Sequence, residues 1–218
     1  MGAEKIKRLV FRFFSRLLIL FGKLWFRLTV QGYENLPVCG PCILTANHQS
    51  YLDILAIAML LDRKELLHRT SWVIGKSTSR NPFLRPLFLV SPLIVVNGTV
   101  RKAEAELKKN RMLVIFPEGF YAWRKYLFER GKEAAEPRRQ IGTSAAILGL
   151  KTGCEIVPIG IRGTYEAMPP YSFFAKPGNL CLRIGKPFRF EVPEPEEIMD
   201  GMISEKTNRV IAEIDALR

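Results

Sequence analysis

Large apolar side chains crowd the first 28 residues, from Leu9 through Phe14, Leu17–Phe21 and Leu24–Phe26, more densely than one buried stripe requires. Placed on a helix, Lys5, Arg8, Arg12, Arg16, Lys23 and Arg27 share an arc of about 100°, with Lys7 outside it. The pattern predicts an amphipathic helix lying in a membrane interface, or a helix pair divided at Gly22, with cations toward headgroups and the apolar face toward acyl chains. A spanning helix needs roughly 20 apolar residues, and charges interrupt this run within about seven. No small-residue cleavage site follows, which argues against a secretory signal. The competing reading is a helix packed on the domain core with a solvated basic stripe.

After a turn at residues 33–37, short apolar runs alternate with helical periodicity. Strands are expected at 42–46, 71–74, 93–96, 112–116, 155–161, 179–184 and near 188–190. Helices are expected at 51–61, 81–89, 100–109 and 140–152, and a last one beginning at 196 or 202. Strands interleaved with helices predict an α/β fold: a mixed, largely parallel sheet flanked by helices. No internal repeat, low-complexity tract or linker interrupts the chain after residue 36.

Composition narrows the classes. With 218 residues, 48% of them hydrophobic and 11% aromatic, the chain can bury a substantial core and is not disordered. The net charge of +12 calls for a polyanionic partner: nucleic acid, an anionic membrane face or phosphorylated substrates. Seven cations against Glu4 fall in residues 1–28, interleaved with Leu, Phe and Trp, which favours a membrane. Residues 101–139 hold 11 basic and 6 acidic side chains without a recognised nucleic-acid motif, so a solvated or headgroup-facing surface is expected there, and no nucleic-acid partner.

The candidate chemistry sits where the run 42–46 ends. Asn47-His48-Gln49-Ser50-Tyr51-Leu52-Asp53 joins an expected strand to an expected helix, a common location for sites in α/β sheets. A neutral imidazole can take the proton of a hydroxyl that attacks an acyl carbonyl, provided a carboxylate on its other nitrogen sets the tautomer. His48 and Asp53 can meet if His48 lies in the loop and Asp53 in the first helical turn, with Ser50 as N-cap. The same residues fit a plainer reading: Ser50-x-x-Asp53 is a variant capping box, with Asp53 reaching back to a backbone N–H and His48 an ordinary loop histidine.

Three further blocks bear on the choice. They are Lys76 followed by Asn81-Pro82-Phe83, then Phe116-Pro117-Glu118-Gly119, then Val157-Pro158-Ile159-Gly160-Ile161. With His48-x4-Asp53, in this order over roughly residues 35–162, they resemble the glycerolipid acyltransferase family that includes 1-acylglycerol-3-phosphate acyltransferases. The resemblance implies a catalytic His48-Asp53 dyad, an acyl-CoA or acyl-carrier-protein donor, a lysolipid acceptor, no metal and no further cofactor. It implies substrate contacts at Lys76, Glu118 and Gly119. Together with the N-terminal pattern, it divides the chain into a membrane-anchoring helical segment, 1–30, and an acyltransferase domain, 31–218.

The chain departs from that family at two places. Gly119 is followed by Phe120-Tyr121-Ala122-Trp123 where the family has Thr-Arg, and Val95-Val96 leads to Asn97-Gly98 where an arginine is usual. Two phosphate-gripping guanidinium forks are thus absent at Tyr121 and Gly98. Arg101 and Arg124 are the expected substitutes, with Lys125 and Arg130 nearby. The acceptor is expected to be 1-acylglycerol-3-phosphate; the alternatives are another lysolipid headgroup, such as lyso-ornithine or another lysophospholipid, or a non-catalytic membrane-binding relative. Phe120, Tyr121 and Trp123 would then line an aromatic wall, make a second membrane contact, or pack under a loop.

The cysteines offer a rival motif. Cys39-Gly40-Pro41-Cys42 has thioredoxin-like spacing, but it precedes a strand instead of opening a helix that would lower a thiol pKa. Cys154 and Cys181 form no second close pair for zinc. Reduced core thiols are expected. The expected setting is a peripheral or monotopic protein on the cytoplasmic face of a bacterial inner membrane.

Overall fold

The computed structural model describes residues 2–74, 95–97, 100–119, 125, 129, 141–169, 171–172 and 174–218. Helix α1 (Gly2–Trp25) leads directly into strand β1 (Phe26–Gln31). Strand β2 (Cys42–Ala46), helix α2 (Leu52–Arg63), β3 (Thr70–Ile74), β4 (Val95–Asn97), α3 (Val100–Lys108) and β5 (Met112–Ile115) follow. Next come α4 (Ser144–Thr152), β6 (Glu155–Arg162), the short helix α5 (Thr164–Ala167), β7 (Gly178–Ile184) and α6 (Asp200–Asp215).

The strands form one mixed sheet in the order β1-β7-β6-β2-β5-β3-β4. The five from β6 to β4 run parallel, while β7 is antiparallel to β6 and parallel to β1. This is the α/β class expected from the alternation of elements. Central strands of such sheets are covered on both faces, which is why Cys42–Ala46 is a continuous apolar run and buried throughout.

Alternation along the strands sorts the core into two layers. Leu44, Ala46, Met112, Val114, Val157, Ile159 and Leu180 join α2 and the buried Ile19 of α1 on one face. Ile43, Leu113, Ile115 and Ile156 join α3, α4 and α6 on the other. Helix α2 carries the chain from β2 across β5 to β3 on the first face. Helices α3 and α4 carry it back on the second, the placement that right-handed crossovers demand.

Several elements differ from expectation. Residues 26–28 belong to β1, not to the amphipathic helix, so Arg27 is a strand residue and leaves the predicted basic stripe. Helix α1 is continuous through Gly22, whose bare Cα faces Met59 and Leu55 of α2. A Cβ there would meet Met59 Sδ at 2.8 Å, so Gly22 permits close helix packing and does not break the helix. Helix α4 starts at Ser144, later than the expected 140. The run near 188–190 makes only an isolated bridge between Phe188 and Ile156. The expected helix at 81–89 lies outside the described residues.

Helix α1 packs one side on the domain and leaves another exposed. Ile19 and Gly22 pack on α2, and Lys23 pairs with Asp62 at 2.8 Å on the flank. Phe13, Phe14, Leu17, Leu18, Leu20, Phe21 and Leu24 remain exposed over an arc of about 160°. No described helix is long and apolar enough to cross a membrane.

Candidate active site

Strand β2 ends at Ala46, but its ladder with β6 does not stop there. The Asn47 side-chain amide donates to the Ile161 carbonyl at 2.9 Å, and its oxygen accepts the Ile161 N–H at 2.7 Å. This side chain replaces a strand peptide and frees the backbone to turn away from the sheet. His48 follows at the turn, at the carboxyl edge of the parallel strands.

The imidazole Nδ1 lies 2.9 Å from Asp53 Oδ2. The same oxygen accepts the Gln49 N–H at 2.6 Å and the Ser50 N–H at 2.8 Å. Asp53 is in the first turn of α2 and its side chain is fully buried. The capping and dyad readings therefore share one geometry: a single carboxylate oxygen closes the loop and holds the imidazole. The N-cap of α2 is Tyr51, not the expected Ser50. The Ser50 hydroxyl accepts the Leu52 N–H at 3.1 Å and donates to the Met168 carbonyl at 2.6 Å.

A carboxylate can only accept, so its partner Nδ1 donates, and in the neutral imidazole Nε2 is then the proton-accepting nitrogen. His48 is 8% exposed. Its ring stacks on Phe116 with centroids 4.4 Å apart, and Phe116 stacks in turn against Trp72 of β3 at 6.5 Å. An aromatic row crossing from β3 to β2 thus ends on the imidazole and limits its orientations. This arrangement can hold a neutral base at fixed tautomer beside an apolar wall.

Glu118 follows β5, the strand next to β2, and is buried. It accepts a hydrogen bond from the Arg218 guanidinium, which also reaches Asp215 Oδ1 at 3.1 Å. Arg218 escapes sequence reasoning because 100 positions separate the partners. Gly119 is exposed, with φ +55° and its N–H donating to the Phe116 carbonyl at 3.1 Å, so a left-handed glycine closes the turn after the strand.

Arg101 is exposed in the first turn of α3. Lys125 is exposed. Lys76, Arg124, Arg130, Gly98 and the aromatic run 120–123 lie outside the described residues. Gly160 makes room for the chain itself, since a Cβ there would sit 2.4 Å from the Leu217 carbonyl oxygen.

In the cysteine tetrapeptide, Cys42 lacks the environment that activates a thiol. Cys42 is the buried first residue of β2, and desolvation, reinforced by Glu155, pushes its thiol up to about 12. Cys39 is exposed, and Cys154 is buried.

Fold and site together define an α/β protein with a histidine-carboxylate pair at the carboxyl edge of its parallel strands. Residues 27–162 match the Acyltransferase family, and the chain belongs to that family. Among curated proteins it is 31% identical over 169 residues to the chloroplastic 1-acyl-sn-glycerol-3-phosphate acyltransferase BAT2 of Brassica napus, covering 75% of this chain and 45% of that protein. It is 30% identical to the chloroplastic acyltransferase LPAT1 of Arabidopsis thaliana, covering 75% of this chain and 44% of that one. The chain thus spans less than half the length of these plant relatives. The crystal structure of the 1-acyl-sn-glycerophosphate acyltransferase PlsC from Thermotoga maritima superimposes with a TM-score of 0.62 at 22% identity, covering 100% of this chain and 84% of that one. The fold is shared with PlsC.

Proposed function

We propose that this protein is a membrane-associated O-acyltransferase that moves a fatty acyl group from acyl-CoA or acyl-carrier protein to a lysolipid hydroxyl. The observation that carries the reading is the His48 Nδ1–Asp53 Oδ2 contact at the strand edge, with Gln49 and Ser50 N–H groups fixing the carboxylate. In the reaction, His48 Nε2 takes the acceptor hydroxyl proton as its oxygen attacks the thioester carbonyl. Asp53 stabilises the imidazolium that forms. The tetrahedral intermediate expels the thiolate, which recovers the proton from His48. The products are the acylated lipid and free thiol, and no enzyme nucleophile is consumed.

The acceptor this reading favours is 1-acylglycerol-3-phosphate, the substrate named for the plant relatives. Glu118 and Gly119, beside the His48 loop, are the proposed acceptor contacts, with Lys76, Arg101 and Arg124 as candidate headgroup cations. The arginines missing at Gly98 and Tyr121 keep lyso-ornithine and other lysolipid headgroups as the second reading. The exposed apolar face of α1 supports residues 1–30 as an anchor on an anionic surface, with 31–218 as the catalytic domain. The cytoplasmic face of a bacterial inner membrane suits this arrangement.

The test is an acceptor panel with each donor, run on the parent and His48→Ala. Transfer to 1-acylglycerol-3-phosphate that falls by about 10²–10⁴-fold in the variant supports the reading. Full activity in His48→Ala sinks it. Preference for a phosphate-free lysolipid shifts the acceptor and keeps the chemistry.

A further inference from the structure

Between α5 and β7, the described residues 168–169, 171–172 and 174–176 are tied by hydrogen bonds to one another and to Ala167. The Ser172 hydroxyl donates to the Phe174 carbonyl at 2.7 Å and accepts the Phe174 N–H at 3.2 Å. The Ser172 N–H donates to the Pro169 carbonyl, and the Lys176 N–H donates to the Ala167 carbonyl at 2.8 Å, closing the base. This tied turn leaves Phe174 83% exposed and Tyr171 44% exposed. An internally bonded turn that presents two aromatic rings to solvent has not folded to bury them.

The topology sets where these rings lie. Strand β1 pairs parallel with β7, beginning at Phe26↔Gly178, while β7 runs antiparallel to β6, with Arg162 opposite Cys181. The end of α1, the start of β7 and the carboxyl ends of the parallel strands therefore share one edge of the sheet. The Trp25 indole, last in α1, donates to the Ala175 carbonyl at 3.1 Å. The end of α1, at Trp25, thus touches the turn. At the turn's other end, the Met168 carbonyl holds the Ser50 hydroxyl of the His48 loop.

We propose that the turn bearing Tyr171 and Phe174 is a second bilayer contact, which with α1 sets the sheet edge carrying His48 against the lipid surface. The inference rests on the membrane reading of α1 and extends it. A bilayer suits the surface because amphipathic rings favour the interface, Lys176 is exposed two residues from Phe174, and Arg16 is exposed on α1, where both can meet anionic headgroups. A single helix lying in the interface can still roll about its own axis, carrying the domain packed on it. Two contacts at one edge fix which face meets the membrane, and bring the dyad to a lysolipid that remains in the bilayer.

The test uses the full chain with Phe174→Cys in a Cys39→Ser, Cys181→Ser background, labelled with bimane, and vesicles of phosphatidylglycerol and phosphatidylethanolamine. The emission is expected to shift blue on vesicle addition and to be quenched by lipids carrying mid-chain doxyl groups. An unshifted, unquenched label overturns the proposal. Phe174→Asp, with circular dichroism and Tm at parental values, is expected to partition about tenfold more weakly, as loss of one inserted aromatic ring predicts. Parental partitioning also overturns it. Leu24→Asp on α1 separates the two readings. If that variant binds as the parent while the label still shifts, the α1 anchor fails and the turn contact stands. If it is released while the label on the parent background stays silent, the anchor stands and the turn contact fails. A shift that follows protein concentration without vesicles assigns the surface to a second copy and rejects the bilayer.

Discussion

Asn47 and Ile161 face each other beyond the last backbone pair of β2 and β6, joined by two hydrogen bonds through the Asn47 amide. Both residues are buried, so neither Ile161 group has water as a substitute. A buried polar group left unpaired costs about 1–3 kcal/mol. Asn47→Ala is therefore expected to destabilise the fold by roughly 2–4 kcal/mol, read as a lower urea midpoint at unchanged m. A midpoint equal to the parent's would show that the pair contributes nothing.

Asp53 gives one oxygen to three donors, two of them backbone N–H groups that close the start of α2. An asparagine oxygen can still accept those N–H bonds, but a neutral amide cannot stabilise an imidazolium. Asp53→Asn should therefore keep most of the thermal stability and lower kcat by about 10²–10⁴-fold. Asp53→Ala should lose activity and also about 1 kcal/mol of capping. Equal kcat in the parent and Asp53→Asn would reduce Asp53 to a cap.

Much of this was readable along the chain because the signals are local. The His48–Asp53 spacing, the strand-to-loop junction at Ala46 and the apolar runs of β2, β5 and β6 each fall within a few residues. Strand β1 was hidden by its neighbour. Phe26, Leu28 and Val30 alternate with Arg27, Thr29 and Gln31, but the first of these also continue the apolar and basic pattern of α1. Ser50 was read as the N-cap of α2, a position that Tyr51 takes, and its link to Met168, 118 positions away, left no local signal. Arg218 had no signal at all, because its meeting with Glu118 depends on α6 packing behind β6 and on the bare Cα of Gly160 that lets Leu217 approach.

That meeting makes a measurable prediction. The Glu118 side chain is 4% exposed and the Arg218 side chain 27%. Removing one partner of a buried pair costs about 3–5 kcal/mol, and the exposure of Arg218 moves the expected loss for Arg218→Ala to roughly 1–3 kcal/mol. The variants Arg218→Ala and Glu118→Gln, alone and combined, should show a coupling of about 0.5–3 kcal/mol by chemical denaturation. Additive losses would mean that the contact carries no energy of its own. If Glu118 also orients the acceptor, Arg218→Ala should raise KM for the lysolipid more than it lowers kcat.

Burial of Cys42 ties stability to alkaline pH in a definite direction. The native thiol keeps its proton to about pH 12, whereas the unfolded thiol releases it near its ordinary value of 9.0. Between those values the unfolded chain binds fewer protons than the native one, so stability falls as pH rises. The loss approaches about 1.4 kcal/mol per pH unit from this group alone. Cys42→Ala removes that dependence, at the cost of a small cavity. Denaturation midpoints measured from pH 8 to 10.5 should therefore fall more steeply for the parent than for Cys42→Ala, and parallel slopes would refute the assignment. In the same pH range an alkylating reagent should modify the exposed Cys39 within minutes and leave Cys42 intact until the chain unfolds.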